Sequence, residues 1–190
     1  MGAQDLFEEG KRLFVEGKLN ESIESFTKAA EAGHDPTISF LSRGAAHLKL
    51  READQAIADF SRVIDAGKTS PRAYYYRGMA HAQKKDFENA VADFSRAIEL
   101  KPTDGASIFA RGAAYMEMGK IQEAGEDIKN ATNYLDAASQ GYADMIGDRT
   151  HLHKILAILE GERASGELSL SDAEFESIRR MIEGEMSLKE

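Results

Sequence analysis

The chain has 190 residues, of which 42% are hydrophobic and 30% are charged, so it is able to bury a core and stay in solution. It contains no cysteine, which excludes disulfides, thiol nucleophiles and thiolate metal sites. Its 33 acidic residues outnumber the 24 basic ones, and the resulting net charge of −9 disfavours nucleic acid and anionic membranes as partners.

A signal peptide has a basic region followed by an apolar run, and the N-terminal sequence of this chain lacks that pattern. No apolar run reaches the roughly 18 residues that a membrane span requires. We therefore expect a cytoplasmic protein. With only 3 prolines and few runs of β-branched residues, the composition favours helices.

The sequence repeats itself with a period of 34 residues over most of its length. Four series of small or bulky apolar positions keep this period, which identifies an array of repeated structural units. The four series are Gly10, Gly44, Gly78 and Gly112; Ser22, Ala56, Ala90 and Ala124; Phe26, Phe60, Phe94 and Ile128; and Ala29, Val63, Ala97 and Ala131.

Each repeat predicts two helices joined by a short turn. Apolar residues recur at helical spacing in both halves of the unit, and a polar break such as Arg51-Glu52 separates the halves. Prolines stand at or beside the unit boundaries, where they start or stop a helix without the loss of a hydrogen bond. We predict helices near 3–16 and 19–32, 37–50 and 53–66, 71–84 and 87–99, and 105–118 and 121–135.

The third unit, with Tyr74, Gly78, Ala90, Phe94 and Pro102, resembles the tetratricopeptide repeat. The resemblance covers residues 3–136. It implies an all-α fold, a right-handed α-solenoid of four helix hairpins followed by C-terminal capping helices. The hairpins are placed at about 3–36, 37–70, 71–104 and 105–138, and the capping helices lie in 139–190.

Charged residues replace the usual leucine of the family in every unit. Three of them are arginines, and they recur in step with three aspartates of the second helices, which suggests an Arg–Asp ladder. The alternative is that all six are solvated surface charges with little effect on stability. The residues are Arg43, Arg77 and Arg111, and Asp59, Asp93 and Asp127.

The resemblance implies that the first helix of each hairpin lines a concave groove. The motif residues of a first helix point into its own hairpin. The residues that follow them by one position are rotated by about 100° around the helix axis, so this stripe should face the groove. Its aromatic and methionine residues favour an apolar peptide or an amphipathic helix as ligand, although the same stripe could instead pack on the neighbouring repeat. The candidate binding residues are Phe7, Lys11, Phe14, Leu41, Ser42, Ala45, Leu48, Arg72, Tyr75, Tyr76, Met79, Phe109, Ala113 and Met116.

One subtype of the family, the heat-shock co-chaperones, holds a C-terminal carboxylate with two Lys or Arg and two Asn side chains. At the corresponding positions of this chain only Arg72 keeps that chemistry, while Lys11 offers a donor in place of an asparagine. The other positions hold Phe7, Ser42 and Tyr76. The resemblance therefore does not predict this carboxylate clamp, and an apolar ligand is favoured.

Beyond residue 138 the repeat fades. We predict a capping helix around 139–147, a further helix at 151–159, a polar link from Glu160 to Gly166, and a last short helix opened by a capping box at Ser171-Asp172-Ala173-Glu174. Three roles are open for these helices. They cap the stack, they form a homodimer, or they occupy the groove as a built-in ligand.

No catalytic, cofactor or metal residues are predicted. His151 and His153 lie near Asp148, but side chains two apart on a helix point about 200° from each other and cannot easily share an ion. The expected function is therefore a non-enzymatic scaffold or adaptor that binds another protein. The alternative is a chaperone-like holder of a secreted or membrane client protein.

Overall fold

The computed structural model of the protein describes residues 1–67, 70–131, 134, 157, 159–161, 163–166 and 170–183. These residues form α-helices and no β-strand, and the chain divides into two compact units, Met1–Asp93 and Phe94–Glu190. The helices are α1 (Ala3–Val15), α2 (Leu19–Glu31), α3 (Pro36–Lys49), α4 (Ala53–Asp65), α5 (Pro71–Gln83), α6 (Phe87–Leu100), α7 (Gly105–Glu117), α8 (Ile121–Ala131) and α9 (Asp172–Glu183).

The all-α prediction is confirmed, and so are the repeated hairpins. From α1 to α7 every predicted helix end lies within one residue of the observed one. The helix α8 is described as far as Ala131, and the end predicted for it at 135 lies outside the described residues. The domain boundary predicted at 138–139 also lies outside them and stays a prediction.

The starts of α3 and α5 show why the prolines mark the unit boundaries. Each helix begins with a proline directly after an N-cap residue. The carboxylate of Asp35 accepts a hydrogen bond of 2.8 Å from the backbone N–H of Thr37, and the hydroxyl of Ser70 accepts one of 3.3 Å from that of Ala73. These caps satisfy amides that would otherwise lack partners, so both helices begin at fixed residues.

The turn within each hairpin contains one residue in the left-handed conformation, again every 34 residues. These residues are Gly17, Arg51, Lys85 and Gly119, with φ of 76°, 62°, 62° and 73°. In each turn, the residue after the left-handed one donates a backbone hydrogen bond to a carbonyl in the last turn of the first helix. In the fourth hairpin the N–H of Lys120 donates to the carbonyl of Tyr115 at 2.9 Å. A side chain at such a residue costs about 1–2 kcal/mol relative to the right-handed conformation.

We expect Lys85→Gly to raise the free energy of unfolding by about 0.5–1 kcal/mol, because the relief of strain exceeds the entropy that glycine loses on folding. The reverse change, Gly119→Ala, should lower it by about 1 kcal/mol. Urea unfolding followed by circular dichroism measures both. A lower midpoint for Lys85→Gly would show that the side chain of Lys85 stabilises the turn by contacts that outweigh its strain.

The repeated glycines let the two helices of a hairpin approach closely. A Cβ added to Gly10 would lie 2.6 Å from the ring of Phe26, and one added to Gly44 would lie 2.7 Å from the ring of Phe60. Both rings are buried. The second unit shows a similar approach at Gly112, where an added Cβ would lie 3.0 Å from Ile128. Each of these glycines therefore leaves the space that the bulky side chain on the opposite helix fills.

The second unit also contains the described part of the C-terminal region. The helix α9 contacts α8, and its residues Phe175 and Ile178 are buried, while the capping role itself stays a prediction. The side chain of Arg163 pairs with Asp172 and lies 4.8 Å from the ring centre of Phe175. The self-association and groove-binding roles stay predictions.

The predicted polar link is wrong in part. Residues 159–161 and 163–165 are helical, and Gly166, which follows them, has a φ of 80°. Glutamate, arginine and alanine are good helix formers, so polarity alone does not indicate a loop there. The helix predicted at 139–147 and most of the one at 151–159 lie outside the described residues.

Candidate functional site

The first unit contains a pocket formed mainly by the first helices of its hairpins. The helix α3 contacts both α1 and α5, and the pocket has a volume of about 310 Å³. On α1, α3 and α5 its residues recur about one turn apart, which turns them towards a common side. They are Lys11, Phe14 and Val15 of α1, Phe26 of α2, Leu41, Ser42 and Ala45 of α3, and Arg72 and Tyr76 of α5.

Half of the predicted groove residues come together here. The seven are Lys11, Phe14, Leu41, Ser42, Ala45, Arg72 and Tyr76.

Sequence reasoning missed two residues of the pocket, Val15 and Phe26. Val15 follows Phe14 at the end of α1, and its side chain is 86% exposed. Phe26 belongs to a second helix but reaches the pocket because Gly10 has no side chain to cover it. The matched glycine and phenylalanine series was the signal that could have found it.

The other predicted groove residues are buried. In the first unit these are Phe7, Leu48, Tyr75 and Met79, and in the second unit Phe109, Ala113 and Met116. None of them lines the pocket described above. Their burial agrees with the alternative that part of the stripe packs within the protein, and a role in partner binding stays a prediction for them.

Tyr76 is held in place by aromatic packing. Its ring stacks on that of Phe60, with centroids 5.6 Å apart, and lies 5.3 Å from the ring of Tyr75. Phe60 in turn packs against Gly44. The hydroxyls of Tyr76 and Ser42 form no hydrogen bond to any residue that the structure describes. The pocket therefore combines an apolar floor with two hydroxyls available to a ligand.

The charged residues at the pocket are cations. Lys11 pairs with Glu8 of the same helix at 2.7 Å, and its hydrogen bond lowers the pKa of Glu8. Arg72 is exposed and has no ion-pair partner within the described part of the chain. Lys49 lies 4.6 Å above the ring of Phe14. Among the described residues that line the pocket, the charged ones are Lys11 and Arg72, so the lining carries cations although the chain as a whole is acidic.

The Arg–Asp ladder predicted from the sequence is present and joins the two helices of the second, third and fourth hairpins. Two nitrogens of Arg43 donate to the carboxylate of Asp59 at 2.7 and 2.6 Å. The third donates to the hydroxyl of Thr27 on the preceding second helix at 2.9 Å. Hydrogen bonds to Asp59 raise the pKa of Arg43, so the guanidinium of this rung keeps its positive charge.

The same three-part contact recurs with the period of the sequence. Arg77 binds Asp93 and Ser61 in the first unit, and Arg111 binds Asp127 and Ser95 in the second. The hydroxyl partners were missed, although Thr27, Ser61 and Ser95 also stand 34 residues apart.

The described residues contain no helix with the length and apolarity needed to cross a membrane. Within the same residues, no group of three or more histidine, cysteine, aspartate or glutamate side chains is arranged to hold a metal ion. His151, His153 and Asp148 lie outside the part that the structure describes.

A sequence model of the tetratricopeptide repeat matches residues 7–71 and, in a second register, residues 41–105, which together are just over half of the chain. The chain belongs to the tetratricopeptide-repeat family. This membership confirms the resemblance and the α-solenoid class. No curated protein sequence matches the chain significantly.

Solved structures share the tetratricopeptide fold. A crystal structure of MamA is 18% identical with a TM-score of 0.69, and covers 93% of this chain and 95% of its own. YrrB, a tetratricopeptide protein with an unusual peptide-binding site, is 21% identical with a TM-score of 0.62, covering 70% and 68%. The first repeat domain of Spaghetti (RPAP3), bound to the HSP90 peptide SRMEEVD, is 29% identical with a TM-score of 0.53, covering 63% and 89%.

Proposed function

We propose that this protein is an interaction scaffold that holds an apolar peptide or amphipathic helix of a partner protein across α1, α3 and α5. The pocket of the first unit carries the proposal. Three helices turn residues into it, its floor is apolar, and its surface offers two hydroxyls and the guanidinium of Arg72, which have no hydrogen-bond or ion-pair partner among the described residues.

The size of the pocket indicates which part of a partner enters it. Sites for small organic ligands have volumes of about 300–1,000 Å³, and this pocket lies at the lower end of that range. It suits one or two apolar side chains of a segment whose backbone continues across the neighbouring helices. Phe14, Leu41 and Tyr76 are half-buried, so they keep apolar surface that such an anchor would cover.

An apolar anchor alone does not hold a partner. Burial of one large apolar side chain contributes about 1.5–3 kcal/mol, whereas association costs about 4–15 kcal/mol in lost freedom. The segment must therefore make further contacts along the helices, and the polar groups at the rim of the pocket are placed to supply them.

Two proteins of similar structure, one with a bound peptide and one with a peptide-binding site, support this proposal. The first repeat domain of RPAP3 holds an HSP90 peptide, and YrrB has a peptide-binding site. Binding is also the role that the family implies for a chain without a recognisable catalytic constellation.

We expect the double variant Leu41→Asp/Tyr76→Asp to lose partners that the wild type retains, because two carboxylates in an apolar pocket oppose burial of an anchor. Affinity capture with quantitative mass spectrometry measures the loss, and circular dichroism shows that the variant is folded. Ile38→Asp is the matched control, since Ile38 is an exposed apolar residue of α3 outside the pocket.

A partner lost from the pocket variant and kept by Ile38→Asp identifies the pocket as the binding site. A folded pocket variant that keeps every partner of the wild type would contradict the proposal and move the binding surface elsewhere on the chain.

A further inference from the structure

The charges around the pocket allow the partner to be described more closely, provided that the proposed function is correct. Lys11 and Arg72 line the pocket from α1 and α5, both of which contact α3, and Lys49 stands over the ring of Phe14. The lining includes no aspartate or glutamate. A ligand in the pocket therefore meets cations at its edge and apolar side chains at its centre.

This local charge is opposite to that of the whole chain, which is −9. At physiological ionic strength charges are screened over about 8 Å, so a bound segment responds to Lys11 and Arg72 more than to distant carboxylates. The chain as a whole would repel an acidic segment weakly, and the pocket would attract it. Local complementarity then decides which partner is accepted.

We infer that the pocket selects an acidic segment of a partner protein, in which an apolar side chain enters the pocket and side-chain carboxylates flank it. Arg72 receives one carboxylate without displacing any described partner. Lys11 receives another by exchanging its contact with Glu8, which is exposed and so remains hydrated when released. The hydroxyls of Ser42 and Tyr76 are left to bind the backbone of the segment.

The carboxylates belong to side chains within the segment rather than to a chain terminus. A terminal carboxylate needs several convergent donors at one point, whereas the described lining offers Lys11 and Arg72 with the hydroxyls of Ser42 and Tyr76 and no amide side chain. Two separated cations match two separated carboxylates with an apolar residue between them.

Synthetic peptides test the inference directly. Three series of peptides with acetylated N-termini and amidated C-termini share a Leu-Met core, and carry Glu, Gln or Lys on both sides of it. A fourth series repeats the Glu peptides with a free C-terminal carboxylate. Fluorescence anisotropy with the full chain measures the dissociation constants at low and at high salt. We expect the Glu series to bind about tenfold tighter than the Gln series at low salt, with a smaller difference at high salt.

Charge variants locate the effect. Arg72→Glu should weaken binding of the Glu series about tenfold and leave the Gln series nearly unchanged. The matched control is Lys85→Glu, which makes the same change of charge at an exposed position outside the pocket and should alter neither series.

Each other outcome has a definite meaning. Equal binding of Glu and Gln peptides, lost in Leu41→Asp/Tyr76→Asp, would overturn the acidic preference and leave the proposed function standing. Binding that requires the free C-terminal carboxylate would overturn the assignment to side-chain carboxylates. If no series binds, or if the pocket variant binds every series as the wild type does, both the inference and the proposed function fail.

Discussion

Replacement of Asp59 by alanine is expected to lower the free energy of unfolding by about 3 kcal/mol, because it breaks a largely buried ion pair. The side chain of Asp59 is 4% exposed and that of its partner Arg43 is 16% exposed. Loss of the carboxylate leaves a guanidinium that is largely removed from water, with the hydroxyl of Thr27 as its one hydrogen-bond acceptor among the described residues. The cost is that of an unpaired charge rather than the net value of the ion pair.

The double variant Arg43→Met/Asp59→Leu separates these two quantities. It removes both charges and keeps apolar volume, so most of the lost stability should return. Chemical unfolding of the wild type, both single variants and the double variant gives the coupling energy. A loss of only about 0.5 kcal/mol in Asp59→Ala, the value of an exposed pair, would contradict the ladder as a structural element and support the alternative of solvated charges.

The period of the sequence explains why so much of the fold could be predicted. A 34-residue repeat requires each helix and turn to occur in the same place several times, so errors at one unit are corrected by the others. Helix ends through Glu117 and the Arg–Asp pairing both follow from equivalent positions. The left-handed turn residues were the exception, because Arg51 and Lys85 replace the glycine that would have revealed the conformation.

The lining of the pocket was harder to predict because a helix in an array has neighbours on two sides. Leu41 and Leu48 both belong to the predicted stripe, yet Leu41 lines the pocket and Leu48 is fully buried. They are nearly two turns apart on α3. Which of them contacts a neighbouring helix depends on the angle and the point at which the two helices cross. Periodicity gives the direction of a side chain around its own helix and gives no information about that crossing.

Gly44→Leu is expected to destabilise the protein by about 2–3 kcal/mol and to weaken partner binding at the same time. A Cβ at this position would lie 2.7 Å from the ring of Phe60, a distance that forces the ring or the helix to move. Tyr76 stacks on the same ring and lines the pocket, so displacement of Phe60 changes the pocket as well as the core. Thermal unfolding and the peptide assay measure the two effects separately.

The control and the rescue both follow from the space around each glycine. Gly161 is helical and has nothing within 4 Å of an added Cβ, so Gly161→Leu should be neutral or stabilise by up to about 1 kcal/mol through better helix propensity. Phe60→Leu in the Gly44→Leu background makes room for the new side chain and should cost less than it does alone. Equal stability of Gly44→Leu and wild type would mean that the ring of Phe60 yields freely, and then the matched glycine and phenylalanine series would not be what holds the hairpins together.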